Sequence, residues 1–183
     1  MQKEARILLD KIENLIPKLI PEDWKSIYLY ASVESTGKGE MYFYYFPKKL
    51  FKSKPINCYE ISNYFDVDIH NYNNKLQELY KYIKLLNSYD NPKWTNVTIS
   101  VEKNIFTIEY NYNDLKNTKY NDEQRRLIWS YKYLNFPLER MSLKDRLMIE
   151  NYEEKKENTP RIYREKIEED SMNSLNAVNQ ILK

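Results

Sequence analysis

Residues 96 to 112, with the sequence NVTISVEKNIFTIEYNY, decide the fold class. The apolar residues of this stretch occupy every second position on either side of a short polar centre: Val97, Ile99, Val101, Phe106, Ile108, Tyr110 and Tyr112. Alternation with a period of two is typical of a strand with one buried face. Lys103 and Asn104 separate the two runs and predict a tight turn. The stretch is therefore predicted to form an antiparallel β-hairpin.

A second hairpin is predicted closer to the N-terminus. Apolar residues alternate again from Ser26 to Val33, and this pattern places Tyr28 and Tyr30 together on one face. Residues Glu34 to Glu40 contain both glycines of the chain and predict the connecting loop. The strand that follows, Met41 to Phe46, is aromatic on both faces, so neither face is expected to be fully solvated.

Helices are predicted on both sides of these strands. Apolar residues recur at three- and four-residue steps in three segments: Ala5 to Leu19, Leu76 to Leu86 and Leu127 to Leu134. Pro17 and Pro21 are expected to end the first helix. Asn121 followed by Gln124 resembles a capping box before the third. The buried stripe of that third helix is predicted to consist of Leu127, Ile128, Tyr131 and Leu134.

The C-terminal part of the chain is charged and is predicted to be helical. A helix is expected from Ser142 to about Glu154, and Thr159 with Pro160 is expected to begin another that extends to about Leu182. The structure of residues 47–65 is ambiguous from the sequence: a basic loop is followed by a possible short strand around Cys58 to Ile61. The prediction is an α+β fold with an antiparallel sheet of four to five strands, packed helices and a helical C-terminal extension. Residues 1–137 would form the main domain, and residues 138–183 would pack on it or on a partner.

The composition excludes most enzyme classes. The 183 residues include two Gly, one His and one Cys, so a Gly-rich phosphate loop, a catalytic triad with spare His and a multi-His metal site are all excluded. No cofactor is expected. The net charge of +2 is spread evenly except for one basic cluster: Lys48, Lys49, Lys52 and Lys54. This cluster is interpreted as a solvated loop.

The sequence also indicates where the protein acts. A single cysteine, Cys58, cannot form an internal disulfide, which fits a reducing compartment. The N-terminal residues mix Lys, Glu and Asp with apolar residues and do not resemble a signal peptide. The longest apolar run, Met41 to Phe46, is too short to span a membrane. A cytoplasmic protein that does not bind membranes is therefore expected.

Two candidate reactive sites have simpler interpretations. Asp66, Asp68 and His70 would share one face of an extended segment and could hold a divalent metal. The preferred interpretation is that Asp68 or Asn71 caps the next helix and that no metal binds, because nothing nearby supplies further ligands. Cys58 as a nucleophile would need a base and an electropositive pocket, so a buried, inert thiol is preferred.

The aromatic residues favour an interaction surface. The chain has 18 Tyr, and Tyr28 and Tyr30 are predicted to lie beside Tyr42 and Tyr44 on neighbouring strands. Tyrosine is enriched at protein interfaces because it provides rigid contact area at low entropic cost. This face is predicted to be either a binding face or a second core covered by helices. Trp129 is expected in the core or at the edge of its helix.

The order and spacing of the aromatic segments resemble one known family. The segments are Trp24, Tyr28, Tyr30, Gly37, Gly39, the run Tyr42 to Tyr45, the run Pro92 to Thr95, the run Phe106 to Tyr112, and the run Arg126 to Leu134 with Pro137. Over about residues 7 to 137 they resemble the YezG/EsaG family. Its members are bacterial immunity proteins: cytoplasmic antitoxins that bind and neutralise the nuclease domain of a toxin exported by the type VII secretion system.

The resemblance implies a non-enzymatic inhibitor whose partner is a cognate secreted nuclease toxin domain. Nuclease sites are lined with basic groups, so carboxylates beside aromatic anchors would suit such a partner. The candidate toxin-contact residues chosen on this basis are Glu34, Glu40, Tyr110, Tyr112, Asp114, Asp122 and Glu123. Direct binding of nucleic acid is not expected of such an inhibitor, and a homo-oligomer is left open.

Two other function classes stay open. A nucleic-acid-binding module would use the basic cluster of residues 48–54 together with the interleaved aromatic residues. A metal-dependent enzyme at Asp66, Asp68 and His70 is the third and least favoured hypothesis.

Overall fold

The computed structural model describes residues 3–34, 39–48, 54–115, 119–154 and 161–166. Its helices are α1 (Lys3–Lys18), α2 (Ile69–Ser88), α3 (Asp122–Leu134) and α4 (Leu143–Glu154), with short 3-10 helices at Cys58–Asn63 and Leu138–Arg140. Its strands are β1 (Trp24–Ser32), β2 (Met41–Pro47), β3 (Ile56–Asn57), β4 (Asn96–Glu102), β5 (Ile105–Asn111) and β6 (Arg161–Lys166). Predictions made for Gly37, Lys49, Lys52, Thr159, Pro160 and residues 167–182 fall outside the described residues.

The described strands form one antiparallel sheet in the order β3-β2-β1-β4-β5-β6. The predicted α+β class is confirmed, and the sheet has six strands where four or five were expected. The central hairpin is also confirmed, because β4 pairs with β5 from Asn96 opposite Asn111 to Glu102 opposite Ile105. Lys103 and Asn104 have φ angles of 49° and 63°. Two positive φ values in a two-residue loop match the twist of the adjoining strands.

Helices α1 and α2 pack on one face of the sheet, which is called the inner face here. The predicted apolar stripes of both helices are buried: Leu8, Leu9, Ile12, Ile16, Leu76, Leu79, Ile83 and Leu86. Opposite them, Ile27, Leu29 and Ala31 of β1 have no exposed surface. Pro17 does not end α1 as expected; the helix continues to Lys18.

Two other predictions of local structure were wrong. The short strand precedes Cys58 instead of including it, because β3 pairs with β2 only at Ile56 and Asn57 and a 3-10 helix follows. The helix expected after Pro160 is replaced at Arg161–Lys166 by strand β6, which pairs with β5. A proline before a regular element is compatible with the start of a strand as well as with a helix, so the local signal could not decide.

The described residues divide into two compact units, one made of those up to Tyr112 together with Arg161–Lys166, and the other of those between residues 113 and 154. The second unit contains α3 and α4. Its capping box is confirmed, since Asn121 and Gln124 each accept a hydrogen bond from the other's backbone N–H. The stripe predicted for α3 was wrong in part: Ile128 and Leu134 are buried, whereas Trp129 takes the place of Leu127 and Tyr131, which are half-buried.

Candidate functional site

The face of the sheet opposite the inner face carries a row of aromatic residues, called the tyrosine face here: Tyr28, Tyr30, Tyr42, Tyr44 and Phe46. The predicted juxtaposition of the four tyrosines is confirmed, because Tyr28 lies opposite Tyr44 and Tyr30 opposite Tyr42. The rings of Tyr30 and Tyr42 are stacked, with 5.1 Å between centroids and 15° between planes. All five side chains are half-buried. Stacked rings of this kind stabilise each other beyond the area that they bury.

Carboxylates accept hydrogen bonds from two hydroxyls of this face. The Tyr28 hydroxyl donates to Glu102 over 2.6 Å, and the Tyr42 hydroxyl donates to Glu40. Burial of its phenol, followed by the hydrogen bond to Glu102, raises the pKa of Tyr28 to about 12. The tyrosine face therefore combines apolar rings with negative charge at its margin.

Two of the predicted contact residues, Glu34 and Glu40, act electrostatically on one phenol, that of Tyr80. The Tyr80 hydroxyl donates to the carbonyl of Ser32 over 3.0 Å. Burial, and then the charges of Glu34 and Glu40, raise the pKa of Tyr80. Both carboxylates therefore act on the same phenol. A side chain at Gly39 would collide with the Ser32 carbonyl and the Tyr80 hydroxyl, which explains the glycine at this close approach.

The predicted pair Tyr110 and Tyr112 belongs to a cluster at the end of β5. Tyr110 is only 6% exposed and packs beside Trp94, with 6.0 Å between ring centroids. Tyr112 is 37% exposed, and its hydroxyl donates to Asp90 over 3.2 Å. The guanidinium carbon of Arg161 lies 4.6 Å from the Tyr110 ring centroid and 5.7 Å from that of Tyr112. The Arg161 guanidinium also donates to Asp90.

The remaining predicted contact residues, Asp114, Asp122 and Glu123, belong to the second unit. All three are exposed. Asp122 forms an ion pair with Arg125 within the first turn of α3. Glu123 lines a cavity of about 510 Å³ together with other charged residues, among them Arg126, Lys144 and Asp145. Both Asp122 and Glu123 lie in the first turn of α3, where the helix dipole favours negative charge.

The alternative reactive sites have structural explanations. Asp68 is the N-cap of α2, as preferred, and accepts a hydrogen bond from the Asn71 backbone over 3.1 Å. Asp66 and His70 are exposed. Within the part of the chain that the structure describes, no group of three or more His, Cys, Asp or Glu residues is arranged to hold a metal. Cys58 is completely buried, as preferred, and burial raises the pKa of its thiol well above its usual range.

Sequence reasoning missed Asp90 and Arg161. Asp90 follows the end of α2, and only the contact with Arg161 and Tyr112 gives it a role. Arg161 could have been found only by recognising residues 161–166 as a strand, which places Arg161, Tyr163 and Glu165 on one face.

Among the residues described, no helix is both long and apolar enough to cross a membrane.

Comparison with known proteins finds a matching family and similar proteins. A family model described as immunity protein YezG-like matches residues 6–148. A protein named immunity protein YezG from Bacillus spizizenii is 31% identical over 151 residues, which cover 79% of this chain and 90% of that protein. Another protein of that name, from Bacillus subtilis strain 168, is 25% identical over 139 residues, covering 73% of this chain and 87% of the relative.

Proposed function

The chain belongs to the YezG-like immunity protein family, and from this premise we propose that it binds and neutralises the nuclease domain of a toxin exported by type VII secretion. The observation that carries the proposal is the family match over residues 6–148. Inhibition takes place in the cytoplasm of the producing cell, before the toxin leaves. The protein acts by binding and performs no catalysis of its own.

Local carboxylates provide the electrostatic part of this recognition. The active sites of nucleases are electropositive because they receive phosphates, and the net charge of +2 on this chain gives no general attraction to such a site. Glu34 and Glu40, both close to Tyr80, form one proposed acidic contact group. Asp114, Asp122 and Glu123 form a second group, in the other compact unit.

Tyr112 is the proposed aromatic anchor. Its ring is partly exposed, whereas Tyr110 is buried beside Trp94 and supports the end of β5. Anchors at interfaces contribute most when a rigid ring becomes fully desolvated by the partner. We therefore assign direct toxin contact to Tyr112 and an indirect, supporting contribution to Tyr110.

The C-terminal residues 138–183 are proposed to extend the immunity domain of residues 1–137 by packing on it or on a partner. Pairing of β6 with β5 supports the first alternative for residues 161–166. Truncation after Pro137 should then lower the melting temperature or change the oligomeric state. A truncated protein with the melting temperature, mass and toxin affinity of the full chain would rule this out.

Co-expression with the toxin domain encoded by the neighbouring gene tests the proposed function. The two proteins should copurify, and the complex should have lost nuclease activity. If the toxin domain is neither bound nor inhibited, and the protein instead binds DNA or RNA in a salt-sensitive manner, the nucleic-acid-binding hypothesis replaces this one.

Charge reversal tests the acidic contact groups within the complex. Glu34→Lys should slow association with the toxin domain by about tenfold at low salt and leave dissociation nearly unchanged. Glu60→Lys is the matched control, because Glu60 is also exposed and its reversal changes the net charge equally. Equal association rates for the two variants would show that Glu34 is outside the interface.

A further inference from the structure

A cluster of four side chains lies where the end of β5 meets the beginning of β6: Asp90, Tyr110, Tyr112 and Arg161. Asp90 accepts hydrogen bonds from both the Tyr112 hydroxyl and the Arg161 guanidinium. The guanidinium also lies over both tyrosine rings. Arg161 therefore fixes Tyr112 twice, once through its ring and once through the carboxylate that its hydroxyl contacts.

Arginine is the residue that this geometry needs. A planar guanidinium can stack on a ring and pair with a carboxylate at the same time, whereas a lysine ammonium provides only a point charge. The side chain of Arg161 is 55% exposed, so its ion pair with Asp90 is screened by water and stabilises the fold little. The main effect of the cluster is to restrict the orientation of the Tyr112 ring.

A different anchor holds the other end of β6. Arg6 of α1 donates two hydrogen bonds to Glu165, over 2.6 Å and 2.7 Å, and a third to the Tyr163 hydroxyl. None of these contacts involves Tyr112. The attachment of β6 to the fold and the orientation of Tyr112 can therefore be altered separately.

We propose that Arg161 is a positioning residue for toxin recognition, which holds the Tyr112 ring in the orientation that contacts the toxin domain. The inference rests on the proposed function and deepens it. Arg161 follows residue 148, where the match to the family model ends. Strand β6 thereby adds to the recognition surface a determinant from outside the matched region.

Dissociation kinetics from the toxin domain encoded by the neighbouring gene, inactivated at its catalytic site, test this role. Arg161→Ala should dissociate about tenfold faster than the wild type, and Tyr112→Ala at least as fast as Arg161→Ala. The double variant should dissociate no faster than Tyr112→Ala, because Arg161 acts through that ring. Arg161→Lys should restore the charge beside Asp90 without restoring the slow dissociation.

Glu165→Ala is the control for a merely structural role. It removes the other anchor of β6 and should lower the melting temperature at least as much as Arg161→Ala, with dissociation within about twofold of the wild type. Arg161→Lys carries the test if Arg161→Ala does not fold. Equal effects of Arg161→Ala and Glu165→Ala on dissociation, or additive effects of Arg161→Ala and Tyr112→Ala, would overturn the inference alone. A wild-type protein that does not bind the toxin domain would overturn the proposed function as well.

Discussion

The two faces of the sheet use the same strands for different purposes. On β1, Ile27, Leu29 and Ala31 are completely buried against α1 and α2, whereas Tyr28 and Tyr30 are half-buried on the tyrosine face. The three inner-face residues of β1 are aliphatic and need no hydrogen-bond partner. The hydroxyls of the tyrosine face need polar partners, and Tyr28 finds one in Glu102.

This difference makes the two faces contribute unequally to stability. Burying an aliphatic side chain contributes about 2 kcal/mol, so the completely buried residues of the inner face stabilise the fold more than the half-buried ones opposite. A tyrosine that is half in water buries less apolar area and therefore contributes less to folding. Substitutions on the inner face should therefore change stability, and substitutions on the tyrosine face should mainly change local order.

The largest effect is expected from Leu29→Ala on the inner face. The substitution leaves a cavity in a close-packed layer and should lower the free energy of unfolding by about 3 kcal/mol. Leu143→Ala is a suitable control, because Leu143 is 67% exposed and its truncation should cost far less. Urea denaturation measures both values. Similar losses in the two variants would contradict the assignment of the inner face as the stabilising one.

A smaller effect is expected where the inner face ends at β6. Hydrogen bonds from Arg6, and then from Tyr163, lower the pKa of Glu165. A lowered pKa adds stability above the carboxyl's unfolded pKa of about 4.3, and this stability is lost as the pH falls through the folded pKa. Glu165→Gln should cost about 1 kcal/mol at neutral pH, because both partners are partly exposed and Arg6 retains Asp10.

Denaturation at several pH values checks this result, since the difference from the wild type should shrink towards pH ~3. Glu13 provides a control of opposite sign. Burial first, and then the charge of Glu165, raise the pKa of Glu13, so its ionisation destabilises the fold as the pH rises through that pKa. Glu13→Gln should therefore stabilise the protein at neutral pH. A loss for Glu165→Gln that is independent of pH would contradict the ion-pair explanation.

The sequence predicted those parts of the fold that depend on local signals. The turn at Lys103 and Asn104, the cap at Asp68 and the capping box at Asn121 were all confirmed, because neighbouring residues are sufficient to form them. Strand β6 was missed because its pairing with β5 is a contact between distant segments, and the polar sequence RIYREK has no strong strand signal of its own.

The candidate site was predictable only in outline. Its residue types followed from charge and aromatic content, but their grouping depends on tertiary contacts. The sequence does not distinguish Tyr110 from Tyr112. Only the contacts with Trp94 and Arg161 identify Tyr110 as the buried, supporting residue. Likewise, Glu34 and Glu40 become a pair through Tyr80, which is distant in sequence from both.

A coupling of about 1 kcal/mol is expected between Tyr30 and Tyr42 on the tyrosine face. Their stacked rings should stabilise each other beyond the area they bury. A double-mutant cycle with Tyr30→Leu and Tyr42→Leu, followed by urea denaturation, isolates this coupling. If the losses in the free energy of unfolding of the two single variants simply add, the stacked rings do not stabilise each other.

The smallest effect is expected for the titration of the tyrosines themselves, and it compares the two faces directly. Tyr28 of the tyrosine face has its pKa raised to about 12, by burial first and by Glu102 second. Tyr45 of the inner face is completely buried and donates to Glu22 over 2.8 Å, and its pKa is raised further. Ring NMR signals should therefore show Tyr28 ionising before Tyr45. Because a raised pKa favours the neutral phenol, the stability due to Tyr28 should be lost between about pH 10 and its folded pKa.

Glu102→Gln should lower the pKa of Tyr28 while leaving it above the ordinary value of about 10, because burial remains. An unchanged pKa would show that Glu102 does not act on the phenol, and a fall to the ordinary value would show that the tyrosine face is not half-buried.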